Sequence, residues 1–196
     1  MKNLKLKSRV VALLTLLVAT ALISSCSKEN VTSESNDSAT MKSGAPAPGT
    51  ESIAQIAIGA GFSELVSALS YVDGQLNTGL VNLFLNGTDQ YTVFAPTNAA
   101  FQNLYTALGV SQISDLPAPL VRDVLLYHVV EGRRAANSVV PRTGNKTLST
   151  LLGAGFTVNT QGQITAIGNT ANITTANISA SNGIIHVIDA VILPIR

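Results

Sequence analysis

The sequence predicts an α+β domain, and three observations carry that assignment. Apolar residues recur at helical spacing through the first half of residues 51–196 and in short strand-like runs through the second. Helices first and strands later differ from the regular alternation that builds a parallel α/β sheet. The chain also has no Trp, only 5% aromatic residues, and many Val, Ile, Leu, Thr and Asn residues, which suits a β-rich extracytoplasmic domain.

The elements follow in order. Phe62, Leu65, Val66, Leu69 and Val72 share one helical face, with Ser63 placed to cap it. Residues 80–85 form a short apolar segment that Asn86-Gly87 closes. Tyr91-Thr92-Val93-Phe94-Ala95 reads as a strand; Pro96 ends it, and Thr97 caps a helix facing inward with Phe101, Leu104, Tyr105 and Leu108. Residues 115–119 open another helix, which carries Leu120, Val121, Val124 and Leu125 towards Tyr127-His128 before Val129-Val130 turns extended. Residues 156–160, 164–168, 173–178 and 184–193 read as strands, with Gln161-Gly162 as a hairpin turn and Asn182-Gly183 as a left-handed turn. Alternation in the last strand sends Ile185, Val187 and Asp189 to one face and Ile184, His186 and Ile188 to the other. His186 and Asp189 therefore point apart, which argues against a His–Asp couple there.

A targeting segment precedes the domain. Lys2, Lys5, Lys7 and Arg9 are followed by an apolar run over 10–23, too short to span a bilayer, so residues 1–25 read as a signal peptide. The single cysteine, Cys26, follows Ile23-Ser24-Ser25 and resembles the lipidated residue of bacterial lipoproteins. An ordinary secretory signal is the alternative. Lipidation with several acyl chains would hold the mature chain on a membrane, where one chain binds only reversibly. The expected location is the cell envelope, at the outer membrane or cell surface.

Residues 26–50 are rich in Ser, Thr, Asn, Gly and Pro and read as a flexible tether. Within it, Asp37-Ser38-Ala39 resembles a short bacterial O-glycosylation acceptor, making Ser38 a candidate site. Within residues 51–196, read as a single domain, four Asn-x-Ser/Thr sequences at Asn86, Asn145, Asn172 and Asn177 read as turns and strands.

Charge and chemistry narrow the function. Removing the four cations of the signal takes the formal charge from +1 to +1 − 4 = −3, without a basic patch for nucleic acid. Arg133-Arg134 reads as a solvated turn. Residues 51–196 hold two His and no Cys, and lack a Gly-x-Ser-x-Gly elbow, a zinc-ligand set and a phosphate-binding loop. The acidic residues Glu64, Asp73, Asp89, Asp115, Asp123 and Glu131 are scattered and read as solvated surface. A non-enzymatic protein without metal or cofactor is expected.

Three segments resemble a known family. Thr92-Val93-Phe94-Ala95-Pro96-Thr97-Asn98 with Phe101 and Leu104, then 125–132 containing Tyr127-His128, then 182–189 with Val191, Leu193 and Pro194, are similar in order and spacing to the boxes of the fasciclin (FAS1) domain. The resemblance implies a β-wedge of two small packed sheets with helices, and a role in cell adhesion or contact with extracellular matrix or surface polymers. It makes Tyr127 and His128 candidate adhesion residues. The other reading is that His128 is buried, bonded to backbone, and fixes a helix-to-strand junction beside Tyr127. Asn177-Ile178 stands where many adhesive members carry Asp-Ile, which argues against a metal-assisted integrin contact. The expected partners are a membrane, through the lipid anchor, and an extracellular protein or glycan. Capture of a glycan or small apolar ligand in a pocket lined by Tyr71, Tyr91 or Tyr105 is the alternative, and docking onto a membrane complex is a third reading.

Overall fold

The computed structural model describes residues 46–195, so the signal segment, Cys26 and Ser38 lie outside the described residues. Three helices lead: α1 (Ile53–Gly59), α2 (Ser63–Leu76) and α3 (Leu80–Asn86). Strand β1 (Tyr91–Pro96) runs into α4 (Asn98–Leu108), and a 3₁₀ turn over Ile113–Asp115 leads to α5 (Ala118–Tyr127). Strand β2 (Val129–Glu131) and the short α6 (Ala136–Val139) follow. Five strands complete the chain: β3 (Lys146–Ser149), β4 (Gly155–Val158), β5 (Gln163–Thr165), β6 (Thr170–Ala180) and β7 (Gly183–Ile188).

Local chemistry explains most of these boundaries. Thr97 caps α4 as expected, accepting from the Ala100 amide at 3.2 Å. Ser63, expected as a cap, is instead the first residue of α2, and Phe62 at the cap position makes no side-chain bond. Its role passes to Asn98, whose Oδ1 accepts from the Glu64 amide at 3.2 Å. Asp73 is not mere solvated surface: its carboxylate accepts from the Leu80 and Val81 amides at 2.9 and 2.8 Å and caps α3. The strand expected over 184–193 stops at Ile188, where Asp189 turns outward to accept from the Asn172 amide at 2.6 Å.

The seven strands form one continuous mixed sheet in the order β2-β1-β7-β6-β5-β4-β3. Only β1 and β7 are parallel, in register from Tyr91 opposite Gly183 to Pro96 opposite Ile188. The two small sheets of the expected wedge are therefore two halves of one sheet, joined through β6. That strand pairs with β5 near its start and with β7 along the rest, and its register shifts on either side of Thr175. Asn177 lies in this irregular stretch with φ of 65°, and the extra residues bend the strand.

Bending produces two cores. The helices pack Ile53, Leu65, Leu69, Val72, Phe101 and Leu125 against Val93, Ile185 and Val187 on one face. The halves of the sheet enclose Phe94, Phe156, Val158, Ile164, Ile188 and Ile192 with Tyr127. Phe156 meets Phe94 and Tyr127 edge-on, with ring centroids 5.0 and 5.8 Å apart.

Asn182-Gly183 enters β7 without the expected left-handed backbone; neither residue has positive φ. Asn182 is buried, accepts from the Ile53 amide at 2.8 Å and donates to the Phe84 carbonyl at 3.0 Å, tying α1 and α3 to the sheet. Gly183 answers a demand for space, since a Cβ there would stand 2.1 Å from the Tyr91 carbonyl oxygen. Gly74, within α2, has no atom within 4 Å of such a Cβ. Gly183→Ala is expected to lower stability by about 2–4 kcal/mol through overpacking and a displaced ladder. Gly74→Ala is expected to raise it by about 0.5–1 kcal/mol. Urea denaturation of the two variants beside the parent checks both signs.

Candidate functional site

The conspicuous polar residues of this fold are inside it. Tyr127 and His128, the candidate adhesion residues, are 0% and 3% exposed. Tyr127 closes α5 and donates its hydroxyl to the Gly155 carbonyl at 2.9 Å, while its ring packs in the core between the sheet halves. Neither side chain offers a surface that a macromolecular partner could touch.

His128 follows the end of α5, and its two ring nitrogens face backbone groups of opposite character. Nε2 accepts from the Ile192 amide at 3.0 Å, which places the ring proton on Nδ1, where it is donated to the Val124 carbonyl at 2.6 Å. The backbone of the same residue serves β1, since its carbonyl accepts from the Phe94 amide at 2.9 Å. Burial lowers the pKa of His128 to about 4, against the smaller upward pull of the Val124 carbonyl.

His186 repeats this arrangement in the bent sheet. It is fully buried against Phe94; its Nδ1 accepts from the Asn177 amide at 3.3 Å, and its Nε2 donates to the Arg134 carbonyl at 2.9 Å. Asn177 in turn accepts from the Ala136 amide at 2.8 Å. Asn177 thus tethers α6 to the bulge of β6. His186 is also held neutral, again chiefly by burial.

Arg133 was expected in a solvated turn and is instead clasped by the fold. Its guanidinium donates to the Ala180 carbonyl at 2.8 Å, to the Gly183 carbonyl and the Ser179 hydroxyl, and to the Pro46 and Ala47 carbonyls at 3.2 Å each. Gly49 continues the attachment by donating to the Ala180 carbonyl at 3.3 Å. The last residues of the stretch read as tether therefore lie along β6 near the start of β7. No sequence signal marked Arg133, because backbone carbonyls supply most of its partners.

A cavity of about 90 Å³ lies on the helical side. It is bounded by α2, α4, α5, Pro96 at the end of β1, and the segment after β7. Leu104, Val121, Val124 and Leu193 are among its walls, and Leu108 and Ile195 stand at its rim, each about half exposed. Tyr71, Tyr91 and Tyr105, expected around a ligand pocket, do not line it. Tyr71 donates to the Leu116 carbonyl and Tyr105 to the Glu64 carboxylate, at 2.9 and 2.8 Å. Among the described residues no group of His, Cys, Asp or Glu is placed to hold a metal ion, and no helix is long and apolar enough to cross a membrane.

A helical layer over a bent mixed sheet, pinned by buried neutral histidines, defines an α+β wedge whose polar interior serves structure. Residues 60–194 match the model of the fasciclin domain, and the chain belongs to that family. The immunogenic protein MPB70 of Mycobacterium bovis is 38% identical over 135 residues, covering 67% of this chain and 64% of its own length. The protein sll1483 of Synechocystis is 37% identical over 137 residues, covering 68% and 67%. The cell surface glycolipoprotein MPB83 of Mycobacterium bovis is 37% identical over 135 residues, covering 68% and 56%. This chain thus spans slightly under two thirds of MPB70. A FAS1 domain pair from the insect cell adhesion molecule Fasciclin I aligns over 67% of this chain and 45% of its own, at 17% identity and a TM-score of 0.47.

The histidines make stability pH-dependent with a definite sign. In the unfolded chain His128 titrates near 6.5, so below that pH the unfolded state binds a proton that the folded state refuses until about pH 4. Stability is therefore full above about pH 6.5 and falls through the interval towards pH 4, with His128 contributing a loss of about 3 kcal/mol. Urea denaturation at pH 7.5 and 4.5 is expected to show the decline. His128→Gln should cost about 2–4 kcal/mol at pH 7.5 and flatten the dependence between the two.

Proposed function

We propose that this protein is a surface-tethered, non-enzymatic binding module that mediates cell adhesion or contact with matrix or surface polymers. Family membership carries the reading: the chain belongs to the fasciclin family, and the relatives include a protein named as a cell surface glycolipoprotein. The chain's own N-terminus agrees, since a basic and then apolar segment runs up to Cys26. In this reading Cys26 carries the lipid that anchors the protein in the cell envelope, on the outer membrane or cell surface, and residues 27–45 span the gap. Ser38 in that span is a candidate for O-glycosylation.

The adhesive contact belongs to exposed loops and strand edges. Tyr127 and His128 affect it only by holding the fold. Single contacts on such surfaces are weak, and many copies on one membrane raise avidity without new interactions. A soluble chain beginning at Ser27 is expected to bind matrix proteins or cells at least about a hundredfold more tightly when clustered on beads than as a monomer. Equal binding in the two forms would contradict the avidity mechanism. Cys26→Ser is expected to release the protein from the membrane fraction, as followed by fractionation and mass spectrometry of the N-terminal peptide.

One observation favours a second reading, capture of a small apolar ligand: the cavity between the helices and the C-terminal segment. Its lining is hydrocarbon apart from His128, whose ring nitrogens are both engaged, and so gives a glycan no free hydrogen-bonding group. The ligand reading is thereby confined to apolar molecules.

A further inference from the structure

We propose that this cavity receives the terminal carbons of an unbranched alkyl chain of a second molecule, entering at the end of the β1–β7 pair that carries Pro96 and Leu193. The proposal deepens the apolar-ligand reading and is independent of the adhesive one.

The chemistry of the walls sets the ligand class. Every lining side chain is hydrocarbon except that of His128, and both nitrogens of that ring are already engaged by Val124 and Ile192. A polar group entering the cavity would lose its water without gaining a partner, an uncompensated desolvation. Only an apolar group enters at no such cost.

Size sets the shape. At about 90 Å³ the cavity is smaller than the roughly 150 Å³ space that accommodates benzene in an apolar core. That volume favours the slender end of a saturated chain over a fused polycycle. The rim continues the surface outward. Leu108 and Ile195 stand 50% and 52% exposed at the mouth, two of the three large hydrophobic side chains at least half exposed among the described residues. The segment Leu193–Ile195 is itself held in place by the Gly168 amide, which donates to the Leu193 carbonyl at 3.0 Å. Carbons beyond the cavity would lie across this apolar lip.

Placement identifies the direction of approach. The walls include Pro96, at the C-terminal end of β1, and Val191 and Leu193, just beyond the C-terminal end of β7. Arg133 clasps Pro46 and Ala47 at the opposite end of the same parallel pair, beside Gly183. The two ends are separated by roughly 16 Å of strand, five steps of about 3.3 Å. The mouth of the cavity therefore lies at the end of the parallel pair opposite Pro46 and Ala47, and the ligand is the alkyl chain of a second molecule, a free fatty acid or an exposed lipid tail.

The test uses straight-chain alkanoates of four to ten carbons, each below its micellar concentration, with the chain from Ser27 to Arg196. Methyl resonances of Leu, Val and Ile report the site. Shifts are expected at Leu104, Leu108, Val121 and Ile195 and not at Val158 and Ile164 in the second core. Affinity should rise roughly fourfold per methylene until the cavity is full and then level off. Ala68→Leu, which narrows the floor, should move the plateau to shorter chains, and Leu104→Ala should move it to longer ones. Unchanged second-core resonances identify the variants as folded, and either variant alone is decisive. Free alkanoate and a lipid tail are distinguished by adding vesicles of phosphatidylethanolamine: capture of exposed tails predicts the same methyl shifts with vesicles alone. Absence of shifts at every chain length would overturn the proposal and the apolar-ligand reading together. Shifts confined to other methyls would remove this cavity as the site while leaving that reading in place.

Discussion

His128 joins three parts of the molecule that no continuous secondary structure connects, two through its imidazole and one through its backbone carbonyl. Its Nδ1–H satisfies a carbonyl of the last turn of α5, its Nε2 satisfies an amide of the segment after β7, and its own carbonyl pairs with β1. Each of these groups is buried or partly buried, and each would be costly without a partner. A neutral ring can serve an acceptor and a donor at once, which no charged side chain and no aliphatic one can do. The helix-to-strand turn that places β2 beside β1 and the path of residues 191–195 both depend on this ring. So does the cavity, because one of its walls is that C-terminal path.

His186 solves the matching problem in the sheet. A strand long enough to serve both halves of a wedge must bend, and bending leaves amides without ladder partners. At the bend in β6 the Asn177 amide finds the His186 ring, whose other nitrogen reaches across to the Arg134 carbonyl. Arg133, next in sequence, closes the same end of the sheet around the arriving N-terminal segment. In a described domain without a cysteine, these side-chain-to-backbone ties do what disulfides do in many small extracellular proteins.

The sequence showed those features that depend on local periodicity. The apolar spacing in α2 and α4 stands out because one face of each packs against a core, and the apolar runs of β1 and β7 stand out because both faces of these strands are buried. The absent features are those whose cause lies far away along the chain. Asn98 caps α2 from 34 residues downstream, which local reading assigned to Ser63. Short α1 is marked only by its Ser52–Gln55 capping box, and β3 buries only Leu148, so neither offered a periodic pattern. The wedge was legible only through the family boxes. At the site, the backbone-bonded role of His128 was one of two readings open from sequence, and burial together with two ring bonds selects it. The cavity was not legible: Leu108 had been placed on the inward face of α4, and it stands at the rim because α4, α5 and the C-terminal segment do not close over it.

The junction of α5, β1 and the C-terminal segment depends on the protonation and tautomer of one ring, and nitrogen-15 NMR of the histidine side chains reads both directly. For His128 the account predicts a neutral ring with the proton on Nδ1, Nε2 shifted as an acceptor, and no titration in the folded protein between pH 7.5 and 5. A proton on Nε2, or a folded-state titration near pH 6.5, would mean that the ring does not link Val124 to Ile192, and the central claim would fall.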